Sequence, residues 1–115
     1  MAITKQQIVD FYEVFFNQQQ LERANQLIAV DYCQHNPGVE QGRNGLVKAF
    51  SAKFSSDEYF RLAVDRVVLD EEYAVVFSRS IDNKEETKAH VVDLYRIKDE
   101  QFVEHWDYFD RRKLG

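Results

Sequence analysis

The stretch from residue 88 to residue 110 constrains the fold of this chain most, because it predicts two strands joined by a tight turn. β-branched and aromatic residues fill both the run from Val91 to Ile97 and the run from Phe102 to Phe109. Such residues suit a pleated, buried surface. Asp99-Glu100 is the predicted two-residue loop, although it lacks the glycine that often follows aspartate in such turns.

A two-residue loop determines which residues of the two strands lie opposite each other. A regular hairpin around this loop places Asp93 opposite Trp106. Because side chains alternate between the faces of a strand, the residues divide into two sets. One face receives Val91, Asp93, Tyr95, Ile97, Phe102, Glu104, Trp106 and Tyr108, and the other receives His90, Val92, Leu94, Arg96, Val103, His105, Asp107 and Phe109. The first set is an aromatic wall with two carboxylates, and it is the predicted pocket face.

The 115 residues are predicted to form one domain, 1–115, because a chain of this length buries roughly two-thirds of its unfolded surface. The net charge of -5, with both signs mixed, argues against nucleic acid as a partner, since phosphate contacts need a clustered basic surface. No apolar run approaches the roughly 20 residues that span a membrane. With a single cysteine, Cys33, and no apolar signal-peptide core at the N-terminus, the expected compartment is the reducing cytoplasm.

The rest of the chain predicts helices followed by strands. Thr4 begins a capping box with Gln7, after which apolar side chains recur at helical spacing. The predicted elements are helices over 4–15, from Leu21 to about Val30 and from Leu46 to Phe54, an extended segment at 32–37 ending in a turn at Pro37, and strands over 59–69 and 73–81. This order predicts an α+β fold in which helices pack on one face of an antiparallel sheet.

Two motifs give the chain a resemblance to a known family. The hairpin sequence VVDLYRIKDEQFVEHWD resembles the closing hairpin of SnoaL-like proteins, a polyketide cyclase-like branch of the nuclear-transport-factor-two-like superfamily. The segment YCQHNPG, from Tyr32 to Gly38, resembles the family's Tyr-x-Gln-His-Asn-Pro segment. The resemblance implies a curved antiparallel sheet wrapped around three N-terminal helices as a cone, with a pocket at its wide end.

The resemblance also implies acid–base chemistry in that pocket, because members of this superfamily use pocket acids with a His or Tyr to move protons beside a carbonyl. Asp93 lies on the predicted pocket face, where the loss of water makes a carboxyl usable as an acid or base. His35, in the Gln-His-Asn-Pro segment, is the implied partner, so Asp93 and His35 are the predicted catalytic pair. The residues leave open that Asp93 makes only structural hydrogen bonds.

The predicted ligand contacts come from the aromatic wall and its neighbours. The residues assigned to substrate binding are Tyr12, Tyr32, Tyr95, Phe102, Glu104, Trp106 and Tyr108. Because pockets are usually apolar with a few placed polar groups, a small, mostly apolar carbonyl compound is the expected ligand. For Tyr12 and Glu104 the residues favour a structural role over a ligand contact.

No metal site is predicted, because His90, His105 and Asp107 share a face without the short ligand spacings of a dedicated site. The resemblance likewise implies no metal and no organic cofactor. Two function classes remain: a cofactor-independent cyclase or isomerase, and a non-catalytic ligand-binding or assembly module of the same fold. A homodimer is expected through the face opposite the pocket, which would otherwise leave apolar residues in water. The residues of that face are Val92, Leu94, Val103, His105 and Phe109.

Overall fold

The computed structural model describes residues 2–36 and 38–110, which form three helices and five strands. Helix α1 (Lys5–Phe11) continues as a π-helical stretch (Tyr12–Asn17). A 3-10 turn (Leu21–Arg23) leads into α2 (Ala24–Leu27), β1 (Ile28–Gln34) and α3 (Gly42–Ser55). The remaining strands are β2 (Leu62–Leu69), β3 (Tyr73–Ile81), β4 (Thr87–Lys98) and β5 (Gln101–Asp110). Within these ranges, no helix has the length and apolar character needed to cross a membrane.

The strands form one sheet in the order β1-β5-β4-β3-β2. Strands β2 to β5 pair antiparallel, whereas β1 runs parallel to β5. The sheet is curved and does not close, so the predicted α+β fold with a curved sheet and N-terminal helices is confirmed, with a mixed rather than wholly antiparallel sheet.

Strand β1 is the main departure from the predicted elements. The second helix ends at Leu27 rather than near Val30, because Ile28, Val30 and Tyr32 bring the β-branched and aromatic content that favours a strand. The short extended segment predicted from Tyr32 is therefore the end of a seven-residue strand. The turn predicted at Pro37 lies outside the described residues.

The N-terminal helix is held at its start by a side-chain cap and along its length by aromatic packing. Thr4 Oγ1 accepts a hydrogen bond from the Gln7 amide while Gln7 Oε1 accepts one from the Thr4 amide, so the predicted capping box is confirmed. Phe15 stacks on Phe11 with ring centroids 5.1 Å apart and meets Phe50 of α3 edge-on at 5.7 Å. Full burial of one such ring stabilises the fold by about 1.5–3 kcal/mol, and this cluster places the helices over the sheet.

The β4–β5 hairpin turns where the sequence predicts. Asp99 and Glu100 form the two-residue loop between the paired residues Lys98 and Gln101. Both loop residues have positive φ, 52° and 63°, which is the combination that a type I′ turn requires. The loop is therefore confirmed even without glycine.

Beyond the loop, β5 contains one residue more than its partner. Ile97 lies opposite Phe102, but Arg96 lies opposite Glu104. Val103 is therefore the extra residue of a β-bulge, which leaves two residues of one strand facing one residue of the other.

The bulge exchanges the two faces of β5, since an offset of one residue turns every following side chain to the other side of the sheet. Asp93 lies opposite Asp107, so the predicted pairing of Asp93 with Trp106 is wrong. The inner face receives His105, Asp107 and Phe109, whereas the outer face receives Glu104, Trp106 and Tyr108. The face predicted for dimerisation accordingly lacks two of its five residues, His105 and Phe109, which point inward.

Candidate active site

A cavity of about 170 Å³ lies between the helices and the inner face of the sheet. Its polar lining includes Gln34, Asp93, His105 and Asp107, and its apolar lining includes Phe11, Phe16, Ile28, Leu46, Phe50 and Phe60. A larger depression of about 780 Å³ lies at the other end of the molecule, between the start of α1 and the β4–β5 turn. The smaller cavity is the candidate site, because the buried ionisable side chains of the described residues surround it.

Asp93 is the centre of a buried hydrogen-bond network. Its Oδ2 accepts a hydrogen bond from Tyr12 Oη at 2.5 Å, and its Oδ1 lies 2.9 Å from His105 Nε2. Tyr12 Oη is in turn 2.7 Å from Tyr95 Oη, which donates to it because Tyr12 gives its own hydrogen to Asp93. Asp93 is only 6% exposed, and hydrogen bonds at both carboxylate oxygens offset the cost of removing it from water.

The three tyrosines around this carboxylate remain neutral phenols. Burial, followed by the negative charge of Asp93, raises the pKa of Tyr12 and of Tyr95 well above the ordinary value of 10.0. The pKa of Tyr32 is raised by burial first and then by the nearby Asp93 and Asp107. The raised pKa values show that these phenols cannot serve as bases near neutral pH, and Tyr12 instead holds Asp93 in place by its hydrogen bond.

His105 is held on three sides. Its ring stacks on Tyr95 with centroids 4.7 Å apart and on Tyr32 at 6.1 Å, while Nε2 faces Asp93. In the neutral ring, a carboxylate at one nitrogen sets the tautomer: Nε2 donates to Asp93, and the lone pair is on Nδ1. Nδ1 is buried and has no hydrogen-bond partner among the described residues. The site thus contains one oriented imidazole with an unused basic atom.

The backbone explains how residues so distant in sequence meet. Asp93 and Tyr95 alternate on the inner face of β4, and the bulge turns His105 of β5 toward them. Tyr12 comes from the first residue of the π-helical stretch, a type of irregular turn that is frequent at functional sites. Tyr32 lines the same cavity from β1.

His35 lies elsewhere, beside the outer face of the sheet. Its Nε2 is 2.7 Å from Glu104 Oε2, and its ring stacks on Trp106 at 4.8 Å. Arg96 Nε donates to the other oxygen of Glu104 at 2.9 Å. The hydrogen bond from His35 and then that from Arg96 lower the pKa of Glu104 below its ordinary value of 4.5. The predicted contact between Asp93 and His35 is therefore not formed.

The structure separates the predicted ligand-binding residues into two groups. Tyr32 and Tyr95 line the cavity, Tyr12 bonds to Asp93, and Phe102 stacks on Tyr95 at 4.0 Å. The other three, Glu104, Trp106 and Tyr108, lie on the outer face because of the bulge and do not line the cavity. The binding role of both groups stays a prediction.

Sequence reasoning missed His105 and Gln34 as site residues. Both belong to the motifs that carry the family resemblance, the Glu-His-Trp-Asp end of the hairpin and the Gln-His-Asn-Pro segment. In each motif the sequence pattern favours a neighbouring residue instead. The two motifs are therefore the sequence signal that could have identified these residues. What the motifs do not specify is the face of the strand on which each side chain lies.

Two groups of side chains have the spacing of metal ligands. The groups are Asp93, His105 and Asp107 on the inner face, and Cys33, His35 and Glu104 on the outer face, each with its ligand atoms within 4.8 Å of one another. In both groups the central carboxylate, Asp93 or Glu104, already accepts hydrogen bonds at both oxygens. This arrangement favours proton transfer in the inner group and an ion pair in the outer one.

Comparison with known proteins gives the family and the fold. Residues 8–105 match the model of the SnoaL-like domain. TsrD from Streptomyces laurentii superimposes with a TM-score of 0.76 at 22% identity, covering 95% of this chain and 92% of that one. A SnoaL-like polyketide cyclase from Agrobacterium tumefaciens has a TM-score of 0.71 at 13% identity, covering 96% and 94% of the two chains. At these identities the likeness establishes the fold alone, and no curated protein matches the sequence.

Proposed function

Because this chain belongs to the SnoaL-like family, we propose that its cavity binds a small, mostly apolar carbonyl compound and moves a proton at the carbon beside the carbonyl. The reaction class is isomerisation or aldol-type ring closure. The observation that supports it is that His105 lines a largely apolar cavity while its buried Nδ1 has no hydrogen-bond partner among the described residues. Family membership alone does not specify a reaction, so the proposal depends on this atom.

In the proposed step, His105 takes the proton and Asp93 supports it. Removal of a proton from the substrate by Nδ1 converts the imidazole to an imidazolium, whose Nε2–H remains bonded to Asp93. The carboxylate orients the ring and stabilises the positive charge, as in other carboxylate–histidine pairs. Tyr12 holds Asp93 in place through Oδ2. Asp93 and His105 thus act as a unit, in place of the pair predicted with His35.

Binding without turnover is the second candidate function. It is favoured by the completeness of the network around Asp93, since both of its oxygens have partners within the protein, as in a purely structural polar network. The two candidates differ in whether the histidine exchanges a proton with the ligand, and this difference is measurable without knowing the natural substrate.

Deuterium exchange into cyclohexanone provides the test. The protein is incubated with the ketone in D₂O, and loss of the protons beside the carbonyl is followed by NMR. Exchange catalysed by wild type should fall about 100- to 10,000-fold in His105→Gln, the range typical of a general base. His35→Gln is the matched control, because it removes an imidazole from the outer face only. Exchange that is equal in wild type and His105→Gln would leave binding alone as the function.

We also propose that the protein forms a homodimer through the outer face and works in the reducing cytoplasm. Phe77, Val92 and Tyr108 are neighbours across β3, β4 and β5, and Phe77 and Tyr108 remain 39% and 61% exposed. Apolar side chains in a row on one face favour cover by a second copy. The proposed compartment follows from Cys33, a free thiol.

A further inference from the structure

The cavity has room for a ligand of about one ring. Its volume of about 170 Å³ is close to the roughly 150 Å³ of an engineered protein cavity that binds benzene. One wall is made of packed rings: the centroids of Phe16 and Phe50 are 5.1 Å apart, and those of Phe50 and Phe60 are 5.9 Å apart. Since close-packed side chains resist displacement, this wall restricts the size of the ligand on one side of the cavity.

Gln34 adds an unpartnered amide to the lining of the same cavity. Its side chain is 4% exposed, and Nε2 has no hydrogen-bond partner among the described residues. The backbone around it is fixed, because the Gln34 amide donates to Gln41 Oε1 at 2.7 Å and Gln41 Nε2 donates to the Gln34 carbonyl at 2.9 Å. A buried donor without an acceptor is destabilising, so a ligand oxygen that accepts from it is favoured. The last torsion of a glutamine is soft, which lets the amide turn toward such an oxygen.

Gln34 is also the neighbour of the proposed base. Gln34 of β1 and His105 of β5 are register partners, and both line the cavity. Neighbouring strands lie about 4.8 Å apart. In a carbonyl compound the oxygen and the carbon that loses the proton are both attached to the carbonyl carbon. One small molecule can therefore meet the amide with its oxygen and the imidazole with its C–H group.

Resting on the proposed function, we propose that Gln34 is the donor that holds the carbonyl oxygen of a one-ring ketone while His105 removes the adjacent proton. Nδ1 bonds to the proton, the C–H electron pair becomes the second bond between the two carbons, and the carbonyl π pair moves onto oxygen. The Gln34 N–H group stabilises the resulting negative charge. In an isomerisation the proton returns from His105 to the far carbon of a C=C bond conjugated with the enolate, and the electron pair on oxygen re-forms the carbonyl bond. This route needs no oxidant or reductant.

Binding of two matched ring compounds tests the donor. Cyclohexanone and methylenecyclohexane have nearly the same shape, but only the ketone accepts a hydrogen bond. By calorimetry, wild type should bind the ketone about 3- to 10-fold more tightly. Gln34→Leu should bind both equally, and Gln34→Glu, which keeps the shape but replaces the donor by an acceptor, should also lose the preference. A ketone preference that persists in either folded variant overturns the inference.

A two-ring ketone tests the size limit. Wild type should not bind 2-decalone at concentrations that saturate it with cyclohexanone, whereas Phe50→Ala, which opens the phenylalanine wall, should bind it. Equal affinity of wild type for the two ketones would show that the cavity is not limited to one ring.

Exchange kinetics separate this inference from the proposed function. Gln34→Leu should slow deuterium exchange into cyclohexanone about 100- to 1,000-fold, the usual effect of losing one oxyanion donor. If His105→Gln exchanges as fast as wild type, the proposed function fails while the ketone preference of Gln34 still stands. If His105→Gln is inactive and Gln34→Leu exchanges as fast as wild type, the proposed function stands and the role of Gln34 fails.

Discussion

Tyr12 and Asp93 are joined by a 2.5 Å hydrogen bond across 81 positions of the sequence, from the first helix to the fourth strand. The bond connects the N-terminal helix to the one buried carboxylate among the described residues. It therefore links the stability of the fold to the position of the candidate base, because Asp93 also holds His105.

Tyr12→Phe should lower the free energy of unfolding by about 1.5–3 kcal/mol, since it removes a hydrogen bond to a charged group that stays buried. Tyr95→Phe is the matched control: its hydroxyl bonds to Tyr12 and not to the carboxylate, so a loss of about 0.5–1.5 kcal/mol is expected. Urea unfolding of both variants measures the difference. Equal losses would mean that the bond to Asp93 contributes no more than a neutral one.

Asp93→Asn should keep the cavity and its ligand binding while slowing deuterium exchange about 100- to 10,000-fold, because an amide cannot stabilise an imidazolium as a carboxylate does. Asp65→Asn removes the same charge from a surface carboxylate, which pairs with Arg79 at 2.9 Å away from the cavity, and should exchange at nearly the wild-type rate. Thermal midpoint and exchange rate are measured together. An Asp93→Asn variant that is both stable and fully active would exclude the catalytic assignment, and one that only loses stability would make Asp93 structural.

Acid should selectively remove the stabilisation that Glu104 provides through its contacts with His35 and Arg96 on the outer face. Because His35 and Arg96 hold the pKa of Glu104 below 4.5, the unfolded chain binds a proton at Glu104 before the folded protein does. The stabilisation is therefore present above about pH 4.5 and is lost as the pH falls through the lowered folded value. Glu104→Gln should melt below wild type near neutral pH, and the gap should close as the pH approaches about 3. A gap that is the same at both pH values would contradict this assignment.

Light scattering at micromolar concentration should give the mass of a dimer. Phe77→Asp, which places a charge at one end of the outer apolar row, should give the mass of a monomer with the thermal unfolding still cooperative. Tyr59→Asp is the control, because Tyr59 is 46% exposed but lines the cavity instead. A monomeric wild type would remove the dimer proposal.

The sequence predicts most of the fold because the helices and the hairpin follow local rules. The Thr4 capping box and the Asp99-Glu100 loop each depend on a few neighbouring residues, and both are confirmed. The bulge at Val103 has no such signal, since valine suits a regular strand as well as a bulged one. The inward direction of His105 and Asp107 depends on that bulge. A regular hairpin therefore predicts the wrong face for the residues of β5 that follow it.

The hydrophobic pattern of β5 does not reveal which of its faces points inward. In β5 both alternating sets mix aromatic and charged residues: one is Phe102, Glu104, Trp106 and Tyr108, and the other is Val103, His105, Asp107 and Phe109. The set with Phe102 and Trp106 is the more apolar one, so the sequence predicts that it points inward, as burial normally requires. In the structure only Phe102 of that set is buried, and the rest covers an outer face that is itself apolar.

Val103 decides which side chains β5 presents to the chamber. If β5 slipped by one residue so that Val103 paired with Arg96, the ladder with β4 would be regular, and Glu104 and Trp106 would turn into the interior in place of His105 and Asp107. Deleting Val103 would also give a regular ladder, but Glu104 would stay opposite Arg96 and His105 would still face inward. The strand thus encodes two alternative linings for the same chamber, one with an imidazole and one with an indole, and its pairing with β4 selects between them.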